Sequence, residues 1–183
     1  GEEDLRALRE TFSHFGVGIC PPDAPEGFRR FRRRLVFPVR TTGGQIAGFA
    51  GRYRGADGAG TAKYVNSDNS EAYNKGRILY GLYEAVRAVR AEGDVLLCEG
   101  YKDVIAFHAA DPDPAGQTAT LRSAHLLLAR GCEVGLLPLP GGMDPDEVFR
   151  RLGAEALRRL VRTEAVDYLS HRIREAAGRK GGP

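Results

Sequence analysis

The chain has 183 residues, 42% hydrophobic and 28% charged, with a formal net charge of +3, enough for one medium domain or two small ones. No apolar run approaches a membrane span, and the acidic opening Gly1-Glu2-Glu3-Asp4 lacks the apolar stretch of a secretory leader. Cys20, Cys98 and Cys132 are isolated and odd in number, which argues against a disulfide framework or a zinc site and for a reducing, cytoplasmic setting.

Leu5, Leu8, Phe12 and Phe15 predict a helix over 4–15, ended by Gly16 and Gly18 and followed by a Pro-rich connector over 18–27. Strands over 34–40 and 45–49 flank Thr41-Thr42-Gly43-Gly44, a hairpin with a Gly-bearing turn. Pro38 puts the first of these strands at an edge or a bulge. A flexible turn over 55–60 leads to a short strand over 62–65. Leu82, Val86 and Val89 share one face of a helix over 82–90. Val95-Leu96-Leu97-Cys98, a continuous apolar run between Gly93 and Gly100, reads as a buried strand over 95–99. Helices over 102–110 and 117–129, a strand over 133–137, helices over 144–152 and 155–174, and a loose tail complete the series. There is no internal repeat.

Charge is unevenly divided. Residues 28–77 carry eleven Lys or Arg against Asp57, Asp68 and Glu71, a local balance of +8 that leaves −5 for the rest. A basic half beside an acidic half suits a polyanion track next to a metal site, or simply a solvated charged face. Only Lys63, Lys75, Lys102 and Lys180 are lysines, so arginine-rich stretches count for little as motifs.

The acidic residues gather in three patches: Glu99-Gly100-Tyr101-Lys102-Asp103, Asp111-Pro112-Asp113, and Asp144-Pro145-Asp146-Glu147. Glu99, at the C-terminal end of a strand, stands at the rim where open α/β sheets bind ligands. Carboxylates collected there suit Mg2+, which takes hard oxygen ligands together with substrate phosphates. The competing structural readings are local. Asp103 suits the first turn of a helix. Asp144 and Asp146 suit an N-cap and first-turn pair around Pro145, a role compatible with metal binding. Phe28, Phe31, Tyr53 and Tyr64 read as packing residues in preference to base-stacking ones. His108 and His125 read as structural or exposed.

Several stretches, in order, carry a family resemblance: Arg30-Phe31-Arg32 through Phe37-Pro38-Val39-Arg40, Gly48-Phe49-Ala50-Gly51-Arg52, Lys63-Tyr64-Val65-Asn66-Ser67, Lys75-Gly76-Arg77-Ile78-Leu79-Tyr80-Gly81, Glu99 to Val104, Asp111 to Gln117, and Leu139 to Glu147. With them the chain resembles the RNA polymerase core of bacterial DnaG-type DNA primases, whose catalytic half is a Toprim domain. The Glu and Asp-x-Asp pattern is shared by topoisomerases and some nucleases. The Lys-Gly-Arg-x-Leu-Tyr-Gly and Met-Asp-Pro-Asp-Glu stretches are far more specific, and no tyrosine sits in a recognisable nucleophile context.

The resemblance implies an α/β fold, α+β overall. Its parts are a basic mixed subdomain over 1–92, a Toprim-like sheet flanked by helices over 93–150, and a helical segment over 151–183. It implies a cluster of Glu99, Asp103, Asp111, Asp113, Asp144 and Asp146 around two Mg2+ or Mn2+ ions, with Glu99, Asp111 and Asp113 catalytic. The reaction implied is attack of a ribonucleotide 3′-hydroxyl on the α-phosphate of an incoming ribonucleoside triphosphate, extending an RNA primer on single-stranded DNA. Lys75 and Arg77 match basic residues near that site. Arg30, Arg32, Arg34 and Arg52 match a template track, with Lys63 and Asn66 as further nucleotide or DNA contacts. The family's zinc-binding module and its helicase-binding domain have no counterpart in this sequence, so neither zinc nor a replicative helicase is expected to bind it. The protein is expected in the cytoplasm, at the nucleoid, without membrane contact.

One departure stands out. In the family a strand ending in Asp-Gly-Asp follows a connection after the catalytic Glu. Here eleven residues separate Glu99 from Asp111, whereas a strand–helix–strand unit takes roughly 30. A segment between Ala110 and Asp111 is therefore missing. Either the functional protein has residues between these two positions, or the loss leaves a non-catalytic fragment that binds single-stranded DNA.

Overall fold

The computed structural model describes residues 2–55, 61–93, 95–98, 100–110, 128, 131–168 and 170. The chain divides into two compact units, Arg9–Val86 and Gly1–Leu8 with Arg87–Pro183.

Helix α1 (Glu2–Phe15) begins in the second unit and ends in the first, at the buried Phe15. A four-stranded antiparallel sheet follows in the order β1 (Gly18–Ile19), β2 (Arg34–Arg40), β3 (Ile46–Tyr53), β4 (Tyr64–Asn66). A 3-10 helix, Glu26–Phe31, bridges β1 and β2. The predicted hairpin is β2–β3. β1 reaches only Leu35 and Val36, so β2 is an edge at Pro38, and its register slips between Val39 and Arg40. Phe15, Phe37 and Tyr80 pack ring to ring, with centroids 5.5 and 6.0 Å apart. Gly48 on β3 admits the buried Tyr73: a Cβ there would lie 2.8 Å from the ring.

In the second unit, helix α3 (Tyr101–Ala110) follows α2 (Leu82–Glu92), which begins in the first. After β5 (Gly135–Leu136) come α4 (Pro145–Leu152), α5 (Ala154–Thr163) and β6 (Val166–Asp167). Ala106, Phe107, Ala109 and Ala110 of α3 form one core with Val148, Phe149, Ala154 and Leu157. Gly153 offers no side-chain cap to α5; Asp4 of α1 supplies it, accepting a 3.2 Å hydrogen bond from the Ala154 N–H.

Two expectations need correction. Within 95–98 the chain makes only an isolated bridge at Leu96, not a strand. Leu96 and Cys98 pack on the α3–α4 core and Leu97 on Val134 and Tyr168, so burial on both sides explains the apolar run without a ladder. The helix expected over 155–174 stops at Thr163. Val166–Asp167 instead pairs antiparallel with β5, and Tyr168 is buried. The expected helix over 117–129 lies outside the described residues except Leu128, which is helical.

Gly48→Ala is expected to destabilise the first unit by about 1–3 kcal/mol, because the 1% exposed Tyr73 has no room to retreat. Thermal denaturation would show a lower midpoint; an unchanged midpoint would mean that Tyr73 repacks freely.

Candidate acidic site and basic face

The acidic site is built on two helix starts. Asp103, in the first turn of α3, is 9% exposed. Gly100 makes room for it, since a Cβ there would meet its Oδ2 at 2.7 Å. At α4, Asp144 accepts from the Glu147 N–H at 2.7 Å, Glu147 accepts from the Asp144 N–H at 3.3 Å, and Pro145 occupies the first turn. This reciprocal box is the capping role weighed from the sequence.

The structure brings Asp103, Asp144 and Asp146 together. Burial, the Asp144 charge and the Asp146 charge push the Asp103 carboxyl up, against the Asp146 N–H and Lys102, which pull it down. Asp146 is itself held by Lys102 on α3 and by Arg150, whose Nη2 and Nε lie 2.9 and 3.1 Å away. Burial and then the Asp103 charge push the Cys98 thiol up to about 12, which keeps it protonated.

Glu99, Asp111 and Asp113 lie outside the described residues. The three carboxylates that are described are hard oxygen donors, and the charges of Asp144 and Asp146 add to burial in disfavouring charge on Asp103, which suits a divalent cation as donor chemistry. They do not close a site alone: among the described residues no three His, Cys, Asp or Glu side chains are spaced to hold a metal ion.

The basic residues of the first unit differ in what they are free to do. Arg30 is 45% exposed; it donates to the Asn66 carbonyl at 3.0 Å and pairs with the 84% exposed Asp68 at 2.7 Å. Arg32 donates to the Ala24 carbonyl at 2.8 Å. Arg34 is buried, donates to the Ala62 carbonyl at 2.8 Å and lies over the Tyr53 ring. It is a structural arginine and does not belong to an exposed track. Arg52 is half-buried, over the Tyr64 ring and donating to its hydroxyl at 3.2 Å. Lys63, Lys75 and Arg77 are exposed. Arg77 lines an open hollow of about 390 Å³ with Arg40, Thr41 and Asn74. The Asn66 amide oxygen faces the Tyr73 hydroxyl at 3.5 Å.

Of the four aromatics expected to pack, Phe31 is buried and Tyr53 and Tyr64 underlie arginines, but Phe28 is 42% exposed. Sequence reasoning also passed over Lys102 and Arg150. The spacing of Asp146 and Arg150 at i,i+4 on one helix was the available signal for the second of these.

The described residues thus combine a helical core carrying helix-start carboxylates with an antiparallel sheet that carries basic side chains. A family model described as the N-terminal domain of the DNA primase catalytic core matches residues 8–86. The DNA primase of Halalkalibacterium halodurans is 35% identical, over 91% of this chain and 37% of its own length. Among solved structures, the Aquifex aeolicus primase (zinc-binding and RNA polymerase domains) is 26% identical at a TM-score of 0.74, covering 97% of this chain and 58% of that one. A DnaG primase catalytic domain bound to ssDNA is 25% identical at 0.64, covering 91% and 71%. The chain belongs to the DnaG-type DNA primases, in their RNA polymerase core.

It spans about a third of the length of the curated relatives it matches. The Halalkalibacterium match runs over 227 positions against 183 residues here, so at least 44 matched positions have no residue in this chain. No described helix is long and apolar enough to cross a membrane.

Asp103→Asn is expected to raise thermal stability by a few degrees at neutral pH in the presence of a chelator. The folded state holds the Asp103 proton more tightly than the unfolded state, so stability falls as pH rises from the ordinary carboxylate range through the raised value. The gain from the substitution should shrink on acidification below that range. A gain independent of pH would refute the assignment.

Proposed function

We propose that the chain is the catalytic core of a DNA primase, a nucleotidyltransferase that makes short RNA primers on single-stranded DNA from ribonucleoside triphosphates. The observation that carries this reading is the convergence of Asp103, Asp144 and Asp146, drawn from two motifs of the family and placed at two facing helix starts. In the proposal Glu99, Asp111 and Asp113 join them to hold Mg2+ or Mn2+. Bound there, such ions would activate the attacking 3′-hydroxyl and neutralise the leaving pyrophosphate.

The chain's own residues divide the remaining work. Glu99, Asp111 and Asp113 are the catalytic carboxylates. Lys75 and Arg77 engage the triphosphate or nucleic acid. Arg30, Arg32, Arg52, Lys63 and Asn66 follow the template backbone, binding phosphates without reading sequence. The domain plan of 1–92, 93–150 and 151–183 and a cytoplasmic, nucleoid-associated location belong to the same proposal. That the related DnaG catalytic domain was solved bound to ssDNA supports the template assignment.

Glu99→Gln should abolish nucleotide addition in a primer-synthesis assay while single-stranded DNA binding stays within twofold. Retained synthesis removes Glu99 from its role; binding without synthesis in the unsubstituted chain leaves only a DNA-binding fragment. A second expectation concerns Asp68, an exposed counter-ion that a phosphate displaces from Arg30. Asp68→Asn should tighten binding of single-stranded DNA a few-fold at low salt, the gain fading as salt rises. Weaker binding would show that Asp68 helps to present Arg30 instead of competing for it.

A further inference from the structure

Phe28 is the one aromatic of the basic region that the core does not absorb. Its ring is 42% exposed although its backbone is pinned in the 3-10 helix, the Phe28 N–H donating to the Pro25 carbonyl at 2.8 Å. One edge is braced against Phe49, with centroids 5.8 Å apart and planes at 68°. A lone exposed ring needs no explanation in itself. This one is followed directly by Arg29 and Arg30, whose side chains, with Gly27, Phe31, Ser67 and Asp68, line an open hollow of about 630 Å³. The carboxylates at the hollow, Glu26 and Asp68, have side chains 74% and 84% exposed and hold the two arginines only by solvent-facing pairs. Two exposed guanidinium groups that directly follow a braced, exposed ring in the chain are the combination that binds single strands: cations for the backbone, an aromatic face for a base.

We propose that Phe28 is a base-stacking platform for single-stranded DNA, with Arg29 and Arg30 taking the adjacent phosphates. This rests on the template-binding reading above and assigns to it a residue and a contact that charge alone does not supply. Stacking depends on the base being present, whereas the arginine contacts do not.

The test is fluorescence anisotropy of the full chain at fixed salt with a twelve-residue oligothymidylate and with an abasic strand carrying the same phosphates. The unsubstituted chain should prefer the strand with bases. Phe28→Ala should lose about tenfold in affinity for it, on the order of one base–aromatic stack, and stay within twofold on the abasic strand. Phe28→Tyr should restore the preference. If Phe28→Ala keeps the preference, or weakens both strands equally, the stacking role is overturned while the basic face stands. If the unsubstituted chain binds both strands equally, Phe28 is likewise no platform. Absence of binding to either strand overturns the template reading together with this one.

Discussion

Two carboxylates meet at the amino-terminal end of α4, where the helix dipole favours negative charge. Asp144 takes the Glu147 N–H from within its own helix, and Pro145, which has no N–H, fits the first turn. At the start of α3, the nearby Asp146 N–H and Lys102 favour charge on Asp103 while its burial opposes it. The positive end of the α4 dipole makes this tolerable for a carboxylate as buried as Asp103. Below the polar junction, Phe107, Val148 and Phe149 close the apolar core. The packing of Phe107 against Val148 and Phe149 thus sets which turn of α3 meets α4, and hence which side chains face the acidic site. Lys102 lies on the same helix start, so the geometry that collects the carboxylates also delivers a cation to Asp146.

What was legible in the sequence was local. The 3.6-residue spacing of Leu5, Leu8, Phe12 and Phe15 gives α1, the Gly-bearing turn after Arg40 gives the β2–β3 hairpin, and Asp144-Pro145-x-Glu147 gives a capping box. Each depends on neighbours within four or five residues. What was not legible depends on partners far along the chain. Val95-Leu96-Leu97-Cys98 is as apolar as a central strand, but two cores on opposite sides account for that without pairing. Val166 and Tyr168 lie in a stretch whose apolar spacing reads as helical from the sequence. The open side of β5 and the buried place of Tyr168 beside Val134 decide their state. Asp4 caps a helix 150 positions away, and no spacing rule reaches that far.

Arginines show the same division between composition and structure. A count of positive charge along 28–77 treats Arg30, Arg34 and Arg40 alike. Folded, Arg34 satisfies its guanidinium on the Ala62 carbonyl and the Tyr53 ring, while Arg40 pairs at 2.7 Å with Glu84, whose side chain is 4% exposed. Buried Arg34 depends on such fixed partners, and part-buried Arg40 shares its charge with a buried carboxylate. Arg30 has only an exposed carboxylate and one carbonyl, and exposed pairs exchange partners at little cost. Positive charge counted along the sequence and positive charge exposed at the surface are thus different sets of residues, separated by burial.

The link between the acidic patches imposes the remaining constraint. Helix α3 takes up nearly all of the stretch between Glu99 and Asp111, running from Tyr101 to Ala110. At 1.5 Å per residue its end lies roughly 10 Å beyond Asp103 along the axis. Asp113 stands three residues past Ala110, and three extended residues reach about 10 Å at most, with Pro112 among them. To bring the Asp-x-Asp pair back to the helix start, the chain would have to reverse at once and run almost fully extended. The Halalkalibacterium match runs over at least 44 positions more than this chain has residues. If the three patches form one site, as proposed, the length of the link between them decides whether one chain can close it.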